Sequence, residues 1–145
     1  MTRPTTPDRA DAATACHAVL VEFLAAIDHG HASTALDLFT EDASFTARGQ
    51  QLHGLDAISR FLAQREADTE RQTAHIIANE TVQASSDGAL TLAAVLVLLV
   101  RSEAGHYITD RVLDTTQQFM PTPTGWRINR RNTTPFHPPT QPPVA

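Results

Sequence analysis

The stretch ALTLAAVLVLLV, residues 89–100, decides the fold of this chain. Its length and its content of Val and Leu predict a β-strand, and both alternating faces of that strand are apolar. A strand of an antiparallel sheet that is apolar on both faces needs cover on both sides. We therefore expect helices to cover one face of the sheet and a second copy of the chain, in a homodimer, to cover part of the other.

The patterns on either side of this strand predict an α+β fold with a curved sheet. The three helices lie in the first half of the sequence, and only strands follow the third helix, joined by Asp-Gly and Pro/Gly turns into antiparallel hairpins. The predicted helices run from Thr6-Pro7-Asp8, with Thr6 as cap, to Asp28-His29-Gly30, from the cap Ser33 to Phe39, and from Leu55 to Ala67. The predicted strands are 43–47, a short piece that ends at His53, 72–84, 89–101, 106–120 and 125–134.

Length and charge bound the organisation and the partners. A chain of 145 residues with 41% apolar residues predicts one domain, at 7–136, with poorly ordered tails at 1–6 and, rich in Pro, at 137–145. The net charge of -5 and the lack of a dense basic block argue against a nucleic-acid or membrane partner. We interpret Arg127, Arg130 and Arg131 as the solvated side and end of one strand.

The inventory of reactive residues excludes several kinds of chemistry. All eleven basic residues are arginine, so a Schiff-base lysine, a pyridoxal phosphate anchor and a P-loop lysine are excluded. The single cysteine, Cys16, excludes an internal disulfide and a cysteine cage for a metal. We expect no cofactor and no metal; His29 and His31 with a distant ligand are the weaker alternative. With no run of about 18 apolar residues and no secretory leader, we expect a soluble, cytoplasmic protein.

The strand RQTAHIIANETV, residues 71–82, carries two polar residues four apart, His75 and Asn79. Strict alternation places both on one face. That face is either open to water or the wall of a pocket with a few converging polar groups.

Asp28 is the second candidate, because it lies at the C-terminal end of the first helix, where the macrodipole disfavours a carboxylate. It is either a turn-forming residue of Asp-His-Gly or a carboxylate that fixes the tautomer of a nearby histidine. Two further carboxylates, Asp110 and Asp114, lie four apart among apolar residues of a strand. They are either exposed or a third acid with a raised pKa.

Several landmarks together resemble one family. They are Ala26-Ile27-Asp28-His29-Gly30-His31 followed by 35–43, then Gly54 opening a helix, then 71–82, then Gly125-Trp126-Arg127-Ile128. In order and spacing the chain resembles the SnoaL-like branch of the nuclear transport factor 2-like superfamily over about residues 10–134. This superfamily includes scytalone dehydratases, ketosteroid isomerases and polyketide cyclases.

The resemblance implies a cone-shaped, curved antiparallel or mixed sheet wrapped around three N-terminal helices, with a central pocket and frequent dimerisation through the outer face. We expect Phe45, Leu24, Ile77 and Phe61 to line that pocket. The scytalone dehydratases have a pocket aspartate that falls on Asp28 and a strand histidine that falls on His75. Their paired tyrosines have no counterpart here.

Three functions compete. The first is a cofactor-independent acid/base enzyme, a dehydratase, isomerase or cyclase, acting on a small apolar polyketide or other secondary metabolite in a closed pocket. It would use His75 and Asp28, with Asp114, Asp110 or Asn79 as further polar groups. The second is a non-catalytic ligand-binding or dimerisation module, which predicts that no carboxylate approaches His75. The third is the small subunit of a ring-hydroxylating oxygenase, which would need an iron-containing partner.

Overall fold

The computed structural model describes residues 9–137, and its elements follow the predicted order. Three helices and six strands form an α+β fold, as expected. The helices are α1 (Arg9–Asp28), a short 3-10 helix (Ala32–Leu38) and α2 (Gly54–Ala67). The strands are β1 (Phe39–Ala47), β2 (Gln50–His53), β3 (Thr73–Ala84), β4 (Leu90–Arg101), β5 (Tyr107–Thr122) and β6 (Gly125–Pro135).

The six strands form one curved, mixed sheet in the order β2-β1-β6-β5-β4-β3. The hairpins β1–β2, β3–β4, β4–β5 and β5–β6 are antiparallel, whereas β1 and β6 pair in parallel. A parallel pair needs a long crossover, which the rest of the chain between β1 and β6 provides. The mixed sheet is one of the two expected forms.

The core lies between α1, α2 and the concave face of the sheet. The apolar stripe of α1 is buried through Cys16, Leu20, Phe23 and Leu24, because these residues recur on one side of the helix. In β4 every second residue from Leu90 to Leu98 is buried, while the residues between them are half-buried. The helices therefore cover the buried face of β4, and the opposite face of that strand keeps partial exposure.

Helix starts differ in detail from the prediction. The predicted Thr6 cap and Pro7, the whole tail 1–6 and residues 138–145 lie outside the described residues. The short helix is a 3-10 helix whose N-cap position is His31 rather than Ser33, and the His31 side chain makes no capping hydrogen bond. The Ser33 hydroxyl instead donates a hydrogen bond of 2.8 Å to Glu66 on α2, so it ties two helices together.

By length and composition alone, α1 is long and apolar enough to cross a membrane, although its apolar residues form no unbroken run. One such helix near the N-terminus is weak support for a membrane span, because a core helix of a globular domain passes the same test. Here its apolar stripe packs against the sheet.

Candidate active site

Asp28 and His75 meet at the point where the end of α1 approaches β3. Oδ1 of Asp28 lies 2.7 Å from Nδ1 of His75, and Oδ2 accepts the backbone N–H of the same residue at 2.9 Å. Both side chains are largely buried, with 12% of His75 and 17% of Asp28 exposed. The structure thus brings together the two residues that the sequence singled out.

The carboxylate fixes which ring nitrogen of His75 carries the proton. Burial raises the pKa of Asp28, but the hydrogen bonds and charge of His75 and the hydrogen bond of Thr73 outweigh it and lower the pKa below 3.8. At neutral pH the carboxylate is therefore ionised and accepts hydrogen bonds only. Nδ1 must donate, so in the neutral imidazole Nε2 keeps its lone pair.

A second layer of contacts holds this pair and was missed from the sequence. The Thr73 hydroxyl donates to Oδ1 of Asp28 at 2.8 Å and accepts a hydrogen bond of 3.1 Å from Nη2 of Arg65. Nη2 of Arg65 also donates to the backbone carbonyl of Arg71 at 3.0 Å. The available signals were that Thr73 stands two residues before His75, and that Arg65 falls within the apolar stripe of α2.

His75 lines a cavity of about 790 Å³ between the helices and the concave face of the sheet. This volume is in the range of pockets that hold small organic molecules. Its walls are aromatic and aliphatic: Phe23, Ile27, Phe45, Phe61, Leu96, Leu98 and Leu113. The rings of Phe45 and Phe61 lie 5.0 Å apart and those of Phe23 and Phe45 lie 6.1 Å apart, so they offer a continuous aromatic surface.

Arginine gives this apolar cavity an unexpected charge. One carboxylate, Asp68, lines it. Five of the eleven arginines also line it: Arg48, Arg65, Arg71, Arg111 and Arg131. Burial lowers the pKa of Arg48, and the charges of Arg71, Arg111 and Arg65 lower it further. These guanidinium groups therefore sit close enough to repel one another, and the cavity is positive in a protein whose net charge is -5.

Arg131 corrects the interpretation of the 127–131 arginines as a solvated strand side. Arg130 is exposed, but Arg131 is only 5% exposed. Its guanidinium carbon lies 4.6 Å from the ring centroid of Phe23 and 5.6 Å from that of Phe45. Its position follows from a β-bulge in β6, because Phe119 pairs with Ile128 while Gln118 pairs with Arg130, so Asn129 is an extra residue.

The cavity opens at a rim that includes a tight turn. The two-residue turn Arg48-Gly49 joins β1 to β2 between the paired residues Ala47 and Gln50. Both turn residues have positive φ, 53° and 74°, the arrangement of a type I′ turn. Because Gly49 and Gln50 are exposed, the cavity differs from the closed pocket that we expected.

The predicted role of Asn79 in the pocket is wrong. Asn79 and Glu80 lie opposite the single residue Ala94, since Ala78 pairs with Val95 and Thr81 with Ala93. This β-bulge, with Asn79 at φ 51°, ends the alternation that had placed Asn79 beside His75. Asn79 is exposed and does not line the cavity.

Asp110, Asp114, Leu24 and Ile77 also do not line the cavity. Both carboxylates are exposed; Asp110 pairs with Nε of Arg111 at 3.1 Å and lies 3.9 Å from Nη2 of Arg71. Leu24 and Ile77 belong to the core beyond the cavity wall, whereas Phe45 and Phe61 line it as predicted. His29 and His31 are exposed, and within residues 9–137 no three His, Cys, Asp or Glu side chains are grouped to hold a metal ion.

Comparison with known proteins agrees with this architecture. The model of the SnoaL-like domain matches residues 8–132, most of the chain. The chain belongs to the SnoaL-like domain family. No curated protein sequence matches it.

Solved structures similar to this SnoaL-like domain show the same fold at low identity. An NTF2-like protein with a cystatin-like fold from Novosphingobium aromaticivorans has a TM-score of 0.77 at 21% identity, over 88% of this chain and 84% of that one. ActVI-ORFA from Streptomyces coelicolor has a TM-score of 0.75 at 16% identity, over 86% of this chain and 98% of that one. Aln2 from a Streptomyces species has a TM-score of 0.75 at 16% identity, over 92% of this chain and 94% of that one. At such identities these similarities concern the fold, and the chemistry must be argued from the site.

Proposed function

We propose that this SnoaL-like domain is a cofactor-independent acid/base enzyme that moves a proton on a small organic substrate in the cavity, with His75 as general base and Asp28 as its positioning partner. Dehydration, isomerisation and cyclisation of a polyketide or other secondary metabolite all contain such a step. The observation that carries the proposal is the 2.7 Å contact between Oδ1 of Asp28 and Nδ1 of His75 at the cavity wall.

The geometry suits removal of a proton from carbon next to a carbonyl. The carboxylate holds the imidazole through Nδ1, so Nε2 is the nitrogen that remains for a molecule in the cavity. When Nε2 accepts a proton, the imidazolium that forms is stabilised by the adjacent Asp28 charge. Because only 12% of His75 and 17% of Asp28 are exposed, little water screens that charge, which strengthens the stabilisation.

A non-catalytic module fits this arrangement less well. Such a module predicts that no carboxylate approaches His75, yet Asp28 contacts both the backbone and the ring of that histidine. A structural pair on the surface gives a useful contrast. His17 and Glu80 also lie 2.8 Å apart, but 45% of that histidine is exposed and it does not line this cavity.

The test follows exchange of the α-protons of 2-tetralone for deuterium in D₂O by proton NMR, which needs no knowledge of the natural substrate. We expect the wild type to accelerate exchange and His75→Ala to lose this acceleration by about a hundredfold or more, the usual contribution of a general base. Asp28→Asn should lose part of it, and His17→Ala should keep the wild-type rate. Equal rates in the wild type and His75→Ala would remove the catalytic role.

We also propose that the domain forms a homodimer through the convex face of the sheet. Ile76, Val97 and Val112 pair across β3, β4 and β5, and the first and last are 50% and 38% exposed. Sedimentation should give a dimer for the wild type and a monomer for Val112→Glu. The control Val21→Glu changes an exposed apolar residue of α1 and should stay dimeric. A monomeric wild type would contradict the proposal.

A further inference from the structure

The most unusual group in the cavity is a buried cation without a partner. Nε and Nη1 of Arg131 are buried and make no hydrogen bond, and within residues 9–137 the guanidinium forms no ion pair. A buried charge is costly unless it is paired and hydrogen-bonded. The only compensation that the structure shows is its position against the faces of Phe23 and Phe45.

The neighbouring residues do not supply the missing acceptor. Gln117 on β5 stands directly opposite Arg131, yet its Oε1 is also buried without a hydrogen bond. Its amide Nε2 instead donates to the Thr115 hydroxyl, which in turn lies 2.9 Å from the Thr133 hydroxyl. The donors of Arg131 are therefore left for something in the cavity, which Arg131 and Thr133 both line.

We propose that the cavity takes an aromatic organic anion, and that Arg131 binds its anionic oxygen, a carboxylate or an enolate-type oxygen. The inference rests on the proposed function and deepens it by naming the class of its substrate. The guanidinium would supply the charge-assisted hydrogen bonds that its buried nitrogens lack, and the three phenylalanine rings would cover the flat apolar body of the ligand.

The rest of the cavity favours the same class of ligand. Four further arginines line it. Asp110 offsets part of the charge of Arg111 and Arg71, but the arginines still outnumber the carboxylates, so an approaching anion meets a positive rim that raises its local concentration. An apolar lining alone would accept a neutral substrate equally well. The charge therefore adds selectivity that the aromatic walls do not provide.

The placement of Arg131 relative to His75 suits a ligand of two or more fused rings. Phe23, against which the guanidinium packs, and Asp28, which holds His75, are five residues apart on α1, a rise of about 7.5 Å along the helix. In the sheet, β6 and β3 are separated by β5 and β4. The anion would thus be held on one side of the cavity while the reacting carbon faces Nε2 of His75.

The test compares two probes of nearly the same shape, 2-naphthoate and 2-naphthamide, which differ by one charge. By isothermal titration calorimetry at pH 7 we expect the wild type to bind 2-naphthoate about tenfold or more tightly than 2-naphthamide. In Arg131→Met the ratio should fall to near one, and in Arg131→Lys an intermediate preference should remain. Arg130→Met removes the same charge from the exposed neighbouring position and should leave the ratio unchanged.

Two results would overturn the inference: a wild type with no preference for the anion, or a preference that survives Arg131→Met. Loss of the preference in Arg111→Gln, with Arg131→Met unaffected, would also overturn it, because the anion would then lie at the rim. Should Arg131→Met fold poorly, NMR of the wild type provides the test instead. The Nε–H resonance of Arg131 should shift when 2-naphthoate is added and should not shift when 2-naphthamide is added. Neither probe reacts, so these outcomes are independent of whether His75 catalyses any reaction.

Discussion

Replacing Arg131 with methionine should make the protein more stable, and the size of the effect follows from the burial of the guanidinium. Burial lowers the pKa of Arg131 from the usual range of a guanidinium to about 9. At about 1.36 kcal/mol per pKa unit, that difference corresponds to a penalty of about 5 kcal/mol on the charged form. The contacts with two phenylalanine rings return about 2 kcal/mol. Methionine keeps the apolar stem, so the expected net gain is about 3 kcal/mol.

The pH dependence of this gain has a definite sign. Below about pH 9 the folded protein holds Arg131 in its charged form, so the full penalty is present in the wild type. As the pH rises above about 9, the folded state releases a proton that the unfolded chain still binds, and the wild type gains stability relative to Arg131→Met. The difference between the two proteins should therefore shrink above about pH 9.

Urea denaturation followed by the fluorescence of the single tryptophan, Trp126, at about pH 7 and about pH 10 measures both effects. The expected gain corresponds to a rise in Tm of roughly 6–12 °C for a domain of this size. The exposed control Arg130→Met should stay within about 0.5 kcal/mol of the wild type. An Arg131→Met protein that is less stable than the wild type at neutral pH would refute the reasoning, since the guanidinium would then be well paired.

Three further predictions concern other parts of the structure. Asp28→Ala leaves the backbone N–H of His75 and the Thr73 hydroxyl without their acceptor and should lower the free energy of unfolding by about 3 kcal/mol. Because folding lowers the pKa of Asp28, this loss of stability should be complete above pH 3.8 and should shrink as the pH falls below it. Urea titrations at about pH 7 and about pH 3 would show the difference. Burial raises the pKa of the Cys16 thiol to about 12, so Ellman's reagent at about pH 8 should react with it only after denaturation; rapid reaction of the native protein would contradict its burial. Arg48→Asn should raise stability by about 0.5–1 kcal/mol in thermal melts, because asparagine tolerates positive φ in a type I′ turn better than arginine does; a lower Tm would show that the Arg48 side chain makes a stabilising contact.

The parts of the fold that follow a regular period were predictable from the sequence. The alternation in β4 and the stripe of α1 record which side of each element faces the core, so their positions and types agree with the structure. The meeting of Asp28 and His75 was also within reach. A carboxylate at the unfavourable end of a helix needs a hydrogen-bond partner, and so does a histidine among apolar strand residues. Each of the two can be the partner of the other.

Two of the errors, those at Asn79 and Arg131, lie where a bulge interrupts the period. Alternation counted along β3 fails at Asn79, since one extra residue moves every later side chain to the other face. In β6 both Ile128 and Arg131 are buried although they are three positions apart, which strict alternation forbids. A bulge has only weak local signals, such as an asparagine that tolerates positive φ, so these faces could not be read by counting.

The stability and the selectivity of one variant together decide what Arg131 does. A guanidinium that serves only to hold the fold would make Arg131→Met both less stable and less able to bind either naphthalene probe. One that binds an anion should give the opposite combination: a more stable protein that still binds 2-naphthamide and no longer prefers 2-naphthoate. An unpaired buried charge is a cost to the folded state whatever its role, so it is expected where a bound ligand supplies the missing partner.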